Sequence, residues 1–340
     1  DWAITEAGFG SDLGAEKFYD IKCRMNNLQP AATILVTSLR ALKWHGGVPL
    51  PEIGKENMDA LINGLPNLKA HIASLKCCGQ QVVVSLNHFA NDNAEEIDVV
   101  RKECLAAGVR FAISDGFAKG GEGALDVARE VMAAVKEGSK PLNYAYSLDE
   151  SIEEKIQDVN TKVYGGQDVS YSSAALKDLA KIKALNMGFE KLPICIAKTP
   201  FSMSHDPDLK GAPHGFTLPV QRVILNAGAG FLVVTTGAIM RMPGLPKKPA
   251  AYTIDVVDGT ITGLSRNPRK TLLFRSVLFY ADLRNPALSS GNRGSTRGFR
   301  GKSRPAKDQK SDHKEKCSHK NGRSLIARCQ PSHRTVCNRT

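Results

Sequence analysis

The chain has 340 residues, 42% of them hydrophobic and 24% charged, which excludes a collagen-like, mucin-like or wholly disordered protein. Its net charge of +12 is unevenly placed. Residues 266–340 hold 19 Lys and Arg against four Asp and Glu, which leaves residues 1–265 with 27 against 30, so the basicity belongs to the last 75 residues alone.

In chain order, the sequence opens at Asp1-Trp2-Ala3 without an initiator Met or a basic-then-apolar leader, the expectation for an interior stretch of a longer chain. A short strand precedes Gly8-Phe9-Gly10, and Ile34-Leu35-Val36 is an apolar run. Leu65, Leu68, Ile72 and Leu75 recur at steps of three, four and three, one face of a helix, with Pro66 suited to its first turn. Gln81 to Leu86 is a β-branched run of buried-strand length. Asp92 with Glu95 forms a capping-box pattern opening a helix that Gly108 stops. Val109 to Ser114 is the next strand, and Ala124, Ala128, Val131 and Val135 mark a helix ending at Gly138. Pro193 to Ala197 and Phe231 to Val234 are later strands, and Ala251 to Leu264 suits a hairpin turning at Asp258-Gly259. Strands alternating with helices predict an α/β fold with right-handed βαβ units and a parallel sheet. From residue 266 a basic, mostly disordered tail is expected, interrupted by an apolar cluster at Leu272–Tyr280. No run of 18 uncharged apolar residues occurs, so no membrane partner is expected. Cys23, Cys77, Cys78, Cys104 and Cys195 lack framework spacing, which fits free thiols and a cytoplasmic location.

Four segments bear on chemistry. Gly8, Gly10 and Gly14 approach a dinucleotide fingerprint, but the third glycine is one residue late and no ribose-binding acid ends a strand about 20 residues on. A nicotinamide-dependent oxidoreductase is therefore an alternative rather than the leading reading. Lys119-Gly120-Gly121-Glu122-Gly123 could meet an anion at a helix entry, although Glu122 opposes one. Met242-Pro243-Gly244-Leu245-Pro246 is a rigid turn. In the tail His313, Cys317, His319, Cys329, His333 and Cys337 lack a Cys-x-x-Cys pair, so no metal site is expected. The basic tail offers a second alternative, electrostatic nucleic-acid binding, but it has no aromatic interleaving or recognisable module, and nucleic acid is not expected as a partner.

Thr5-Glu6-Ala7-Gly8-Phe9-Gly10-Ser11-Asp12-Leu13-Gly14-Ala15-Glu16-Lys17-Phe18 resembles the formate–tetrahydrofolate ligase family. The likeness continues in order through Arg40-Ala41-Leu42-Lys43-Trp44-His45-Gly46-Gly47, Leu192 to Thr199, Ala227 to Phe231 and Met242 to Pro246, and covers residues 1–265. It implies the C-terminal half of a P-loop-type nucleotide-binding enzyme, with the phosphate loop and the catalytic residues in an N-terminal half. Residues 1–84 would then belong to an incomplete large nucleotide-binding domain, 85–265 to a smaller α/β domain, and 266–340 to the tail. The family reaction ligates formate to tetrahydrofolate with ATP, which carries Mg2+, through formyl phosphate, to give 10-formyltetrahydrofolate; full-length members are expected to be homo-oligomers, and such a half is expected to be inactive alone. The resemblance places Phe9, Phe89 and Phe117 on the pterin, the last where the family usually has Trp. It also suggests Lys198, Thr199, Gly211, Pro213 and Gly215 for the nucleotide. Without the family, each Phe reads as an ordinary core residue.

Overall fold

The structure, a computed structural model, describes residues 2–237, 239, 248–258, 260–262 and 275–281. Met242–Pro246 and the tail Cys and His residues lie outside them.

Strand β1 (Trp2–Ala7) leads into α1 (Ser11–Lys17), which runs through a π turn at Phe18–Cys23 into a last turn, α2 (Arg24–Asn26). Then come β2 (Ala32–Thr37), α3 (Leu39–His45), α4 (Met58–Cys77), β3 (Val82–Asn87), α5 (Ala94–Ala106), β4 (Arg110–Ser114), the short α6 (Gly116–Lys119) and α7 (Leu125–Glu137). β2, β3 and β4 pair in parallel, as the alternation of strands and helices predicts.

Two local expectations are corrected. Pro66 sits inside α4 rather than in its first turn, because the helix begins at Met58, capped by the Asn57 side chain. An interior proline frees the carbonyl four residues back. Here both Pro66 and Ile62 face solvent, so water can satisfy that carbonyl while Leu65, Leu68, Ile72 and Leu75 stay buried on the opposite face. The second correction concerns α5. Its cap is Asn93, whose Oδ1 accepts from the Glu95 N–H, and not Asp92. Asp92 closes the preceding loop instead, its Oδ2 accepting from the Phe89 N–H at 3.0 Å. The expected stops hold: Gly108 and Gly138 take positive φ of 66° and 78°, where a side chain would be strained.

The second layer of the chain follows. α8 (Ile152–Val159), capped by a Ser151–Glu154 capping box, and α9 (Ser173–Ala184) pack with β6 (Ile194–Ala197), β8 (Arg222–Asn226) and β9 (Phe231–Thr235), which form a sheet ordered β6-β9-β8. β5 (Asp168–Tyr171) pairs in parallel with β7 (Thr217–Val220). The hairpin expected at Asp258 is β10 (Asp255–Val257) against β11 (Thr260–Thr262), with Asp258 at φ 50°.

Buried side chains collect in two main cores. One joins α1, α3, α4, α5 and one face of the sheet, from Ala7 to Phe111, and a smaller cluster around Val83, Ala112 and Val131 fills the other face under α7. The second runs from Ala145 to Val234.

The last strand, β12 (Arg275–Ala281), was not expected to be ordered. It inserts between β1 and β2, antiparallel to both, so the main sheet is ordered β1-β12-β2-β3-β4. The apolar cluster predicted as an isolated feature of a disordered tail is therefore a strand over residues 275–281. Its backbone groups are paired on both sides, which local composition could not show.

Candidate folate site at the carboxyl edge of the main sheet

β1, β2, β3 and β4 all run the same way, since β12 opposes both β1 and β2. Their C-terminal ends share one edge, where open α/β sheets bind ligands. Four segments leave that edge: Phe9 and Phe89 lie in the loops after β1 and β3, Arg40 in the first turn of α3 after β2, and Phe117 in the short α6 after β4.

The rings are not core residues. Phe117 is 98% exposed and Phe9 61%, and Phe89 is half-buried. Phe89 and Phe117 follow adjacent strands, because β3 pairs with β4 through Asn87 and Ser114. Phe9 follows β1, three strand positions from β3, roughly 14 Å at the usual spacing of neighbouring strands. The structure thus brings Phe89 and Phe117 to neighbouring loops and leaves Phe9 farther along the same edge.

Each loop is held by its backbone. Phe9 takes φ 62°, a left-handed conformation rare for an aromatic residue. Gly10 then caps the start of α1, and a Cβ on Gly14 would lie 2.2 Å from the Gly8 carbonyl oxygen. The third glycine of this segment therefore lets the helix sit on its own entry loop. Beyond β3, the His88 N–H donates to the Ser114 carbonyl at 3.0 Å, and Asp92 grips the Phe89 amide. Beyond β4, the Asp115 N–H donates to the Gly123 carbonyl at 2.9 Å, and a Cβ on Gly123 would meet the Asp115 carbonyl group. The segment Lys119–Gly123 accordingly folds back under α6 and presents Phe117 outward.

Side chains tie the two aromatic loops together. His88 Nδ1 lies 2.6 Å from Asp115 Oδ1, and Lys119 donates to Asp115 Oδ2 at 3.0 Å. These two partners, His88 first, hold the Asp115 carboxyl below its ordinary value. From β2, Arg40 lays its guanidinium 3.9 Å from the centre of the Phe89 ring. Arg40 stands at the second position of α3, two residues after its cap Ser38. Lys43, one turn on, is buried against Glu96 at 3.1 Å, and Glu96 also accepts from the Asn57 N–H. That pair fixes α3 against α5, and so Arg40 against the Phe89 loop.

The residues that the resemblance suggests for the nucleotide lie elsewhere. Lys198 follows β6 and is buried; its ammonium donates to Asp12 Oδ2 at 2.5 Å, the Ser202 carbonyl at 2.6 Å and the Thr199 carbonyl at 3.3 Å. All three of its protons are thus taken within the chain. Burial works to raise the Asp12 carboxyl, but Lys198 and His71 outweigh it, and the group stays below its ordinary value. Thr199 is buried beside Lys198. Gly211 (φ 71°) is buried, its N–H donating to His45 Nδ1 at 3.2 Å and its carbonyl accepting from Asn67. Pro213 is half-buried, and Gly215 (φ 69°) is exposed, its N–H donating to the Gly165 carbonyl. Pro213 also lines a cavity of about 340 Å³ between α4 and the Thr161–Gly165 segment, which none of the three aromatic residues borders. Among the described residues no group of three or more His, Cys, Asp or Glu could hold a metal ion. No described helix is long and apolar enough to cross a membrane.

Sequence reasoning missed His88 and Asp115, read Asp92 as a helix cap, and reached Arg40 only through the Arg40-Ala41-Leu42-Lys43 motif, without saying what it touches.

Comparison with known proteins identifies the family. The profile of the formate–tetrahydrofolate ligase family matches residues 1–265. The formate–tetrahydrofolate ligase of Phocaeicola vulgatus is 49% identical over 266 residues, which are 78% of this chain and 48% of the relative. Those of Porphyromonas gingivalis and Bacteroides thetaiotaomicron are 50% and 47% identical over the same shares. The chain spans about half the length of the curated relatives it matches. Near-half identity along the whole matched stretch, with the family profile over the same residues, settles the assignment: this chain belongs to the formate–tetrahydrofolate ligase family.

Proposed function

We propose that this chain supplies the folate-binding surface of an ATP-dependent formate–tetrahydrofolate ligase. In the proposed reaction ATP phosphorylates formate, and the folate amine attacks formyl phosphate to give 10-formyltetrahydrofolate. Phosphoryl transfer of this kind depends on positioning and charge stabilisation of the phosphates. The phosphate loop is absent from the 340 residues, so the phosphates, with any Mg2+ they carry, are assigned to the part of the ligase that this chain does not match. The full-length ligase is taken as a homo-oligomer.

One observation carries the reading. Phe89 and Phe117 leave the C-terminal ends of adjacent parallel strands, and Arg40 backs the Phe89 ring. A flat heterocycle can lie against the ring faces that remain open. His88 and Asp115 keep the two loops at a fixed separation, and Phe9 is assigned to a more distant part of the folate. The sheet with its helices, from residue 1 into the region after 84, would thus carry the folate edge. Residues Gly211, Pro213 and Gly215 are kept for the nucleotide, with Lys198 and Thr199 supporting their loop from inside. The nicotinamide alternative loses its footing at Gly14, which serves helix packing.

Titrating the full chain with tetrahydrofolate tests the proposal. Saturable binding that weakens roughly two- to tenfold in Phe89→Ala and in Phe117→Ala is expected, from about 0.5–1.5 kcal/mol per aromatic contact. Unchanged affinity in variants that remain folded would remove both residues from the site. Incubation of the pure chain with formate, MgATP and tetrahydrofolate should give no 10-formyl product, and turnover would refute the assignment of the phosphates to another polypeptide segment.

A further inference from the structure

His88 and Asp115 are the first residues after β3 and β4, and Phe89 and Phe117 follow them by one and two residues. The two strands are adjacent and parallel, paired up to Asn87 and Ser114. The His88 and Asp115 side chains meet across the strand ends at 2.6 Å and stay partly open, 31% and 24% exposed. They form a polar floor between the two segments that carry the rings. A flat ligand held by its faces on those rings turns its rim toward the strand ends. There a few placed polar groups can fix its orientation.

Hydrogen bonding decides what this floor offers. Asp115 also accepts from Lys119 at 3.0 Å, and His88 and Lys119 together hold its carboxyl below the ordinary value. An ionised carboxylate can only accept. The proton in the 2.6 Å contact therefore sits on His88 Nδ1, which leaves Nε2 of the neutral ring as a bare acceptor. Among the described residues nothing donates to Nε2. The His88 backbone is anchored as well, its N–H donating to the Ser114 carbonyl. The ring is thus held at one edge, with an unused acceptor at the other.

We propose that His88 reads the oxidation state of the pterin: its Nε2 accepts a hydrogen bond from a ring N–H that tetrahydrofolate carries and folic acid lacks. The assignment rests on the folate reading. Amino, lactam N–H and carbonyl groups are common to both ligands. The reduced ring differs by bearing hydrogen on nitrogens that are bare in folic acid. Tetrahydrofolate completes the floor, whereas folic acid sets lone pair against lone pair. A site built to pair with an N–H rejects the analogue without it, because its own polar group stays unpaired.

The test titrates the full 340-residue chain anaerobically with tetrahydrofolate and with folic acid, at about pH 8.5, above the ordinary imidazole value of about 6.5. His88→Asn keeps a side-chain N–H that can reach Asp115 and has no atom in place of Nε2. His88→Gln does the reverse. Expected is a parent preference for tetrahydrofolate that falls roughly three- to tenfold in His88→Asn. In His88→Gln both affinities should fall together and the preference persist. A preference indifferent to His88→Asn, with Phe89→Ala and Phe117→Ala still weakening tetrahydrofolate, would leave His88 as a loop tether and overturn this assignment alone. Failure of either folate to saturate the parent, or no effect of the two ring variants, would overturn the folate reading and this assignment with it. In the unmodified chain carrying nitrogen-15 histidine, an Nε2 signal should shift with tetrahydrofolate and stay in place with folic acid. The absence of such a signal would also refute the contact, whatever the variants do.

Discussion

The Arg40 guanidinium covers one face of the Phe89 ring at 3.9 Å. One side of the ring is thereby given to the protein, and a cation is placed next to the aromatic loop. Arg40→Leu should keep the fold, because α3 is anchored by its buried neighbours Leu39, Leu42 and Lys43. It should weaken tetrahydrofolate binding about two- to thirtyfold, the range set by about 0.5–2 kcal/mol for a cation on an aromatic face. Isothermal titration against the parent chain measures this, with circular dichroism as the folding control.

At Phe9 the backbone and the ring can be separated. A bulky residue at φ 62° costs about 1–2 kcal/mol, part of which glycine returns through its greater freedom in the unfolded chain. Phe9→Gly should therefore raise stability by a net of about 0.5–1 kcal/mol, since most of the ring is in solvent, while tetrahydrofolate affinity falls. A thermal melt and a binding titration on the same sample check both signs. Lower stability together with unchanged affinity would show a structural ring.

For Phe117, exposure sets the outcome. Phe117→Ala should change stability by less than about 0.5 kcal/mol, as exposed substitutions usually do. Phe117→Trp should bind tetrahydrofolate more tightly, because the larger ring offers a broader stacking face. The variant pair separates a ligand-facing ring from a packed one by urea denaturation and titration.

The acid response should carry a histidine signature. Burial drives His45 down to about 3, with His71 adding to it, and drives His71 down to about 4 against the pull of Asp12. Unfolded, each titrates near 6.5. Below that pH the unfolded chain takes up protons that the fold refuses, so stability is lost as pH falls from about 6.5 toward 4. Asp20 works the other way, pushed up to about 7 by burial and by Glu16, so its proton is held in the folded chain. Comparing His71→Gln with the parent cancels the Asp20 contribution. The variant should lose less stability between pH 6.5 and 4, by something on the order of 3 kcal/mol. Urea midpoints across that range decide it, and parallel curves would contradict the prediction.

How much of this was written in the sequence depends on the range of the interaction. Strands β2, β3 and β4 and the loops that follow them were legible, since β-branched runs and glycine stops act locally, and so the places of Phe89 and Phe117 were too. Asp92 deceived, because one side chain can serve either the helix after it or the amide three residues before it, and spacing does not choose. Arg40 on Phe89 and Asp12 on Lys198 were invisible for a different reason: 49 and 186 residues separate the partners, and no periodicity encodes such pairs. β12 escaped because its pairing groups are backbone atoms, common to every sequence.

The Asp12–Lys198 pair also has a cost that can be measured. Lys198→Met should destabilise by about 3–5 kcal/mol, the usual result of leaving a buried charge alone. Adding Asp12→Asn should recover much of the loss, and a double-mutant cycle reads the coupling directly.

The same pair bears on how the chain reaches its fold during synthesis. The Asp12 carboxylate is buried within α1, near the start of the chain, but the ammonium that neutralises it is added 186 residues later. At about 5–20 residues per second, the emerging main sheet waits on the order of ten seconds or more for its counter-charge. Until β6 leaves the ribosome, α1 must stay hydrated and undocked or bind a proton. The α1 end of the first core therefore has to wait until residue 198 is made, and a ribosome stalled between residues 114 and 198 would hold strands β2, β3 and β4 with α1 still lacking its counter-charge.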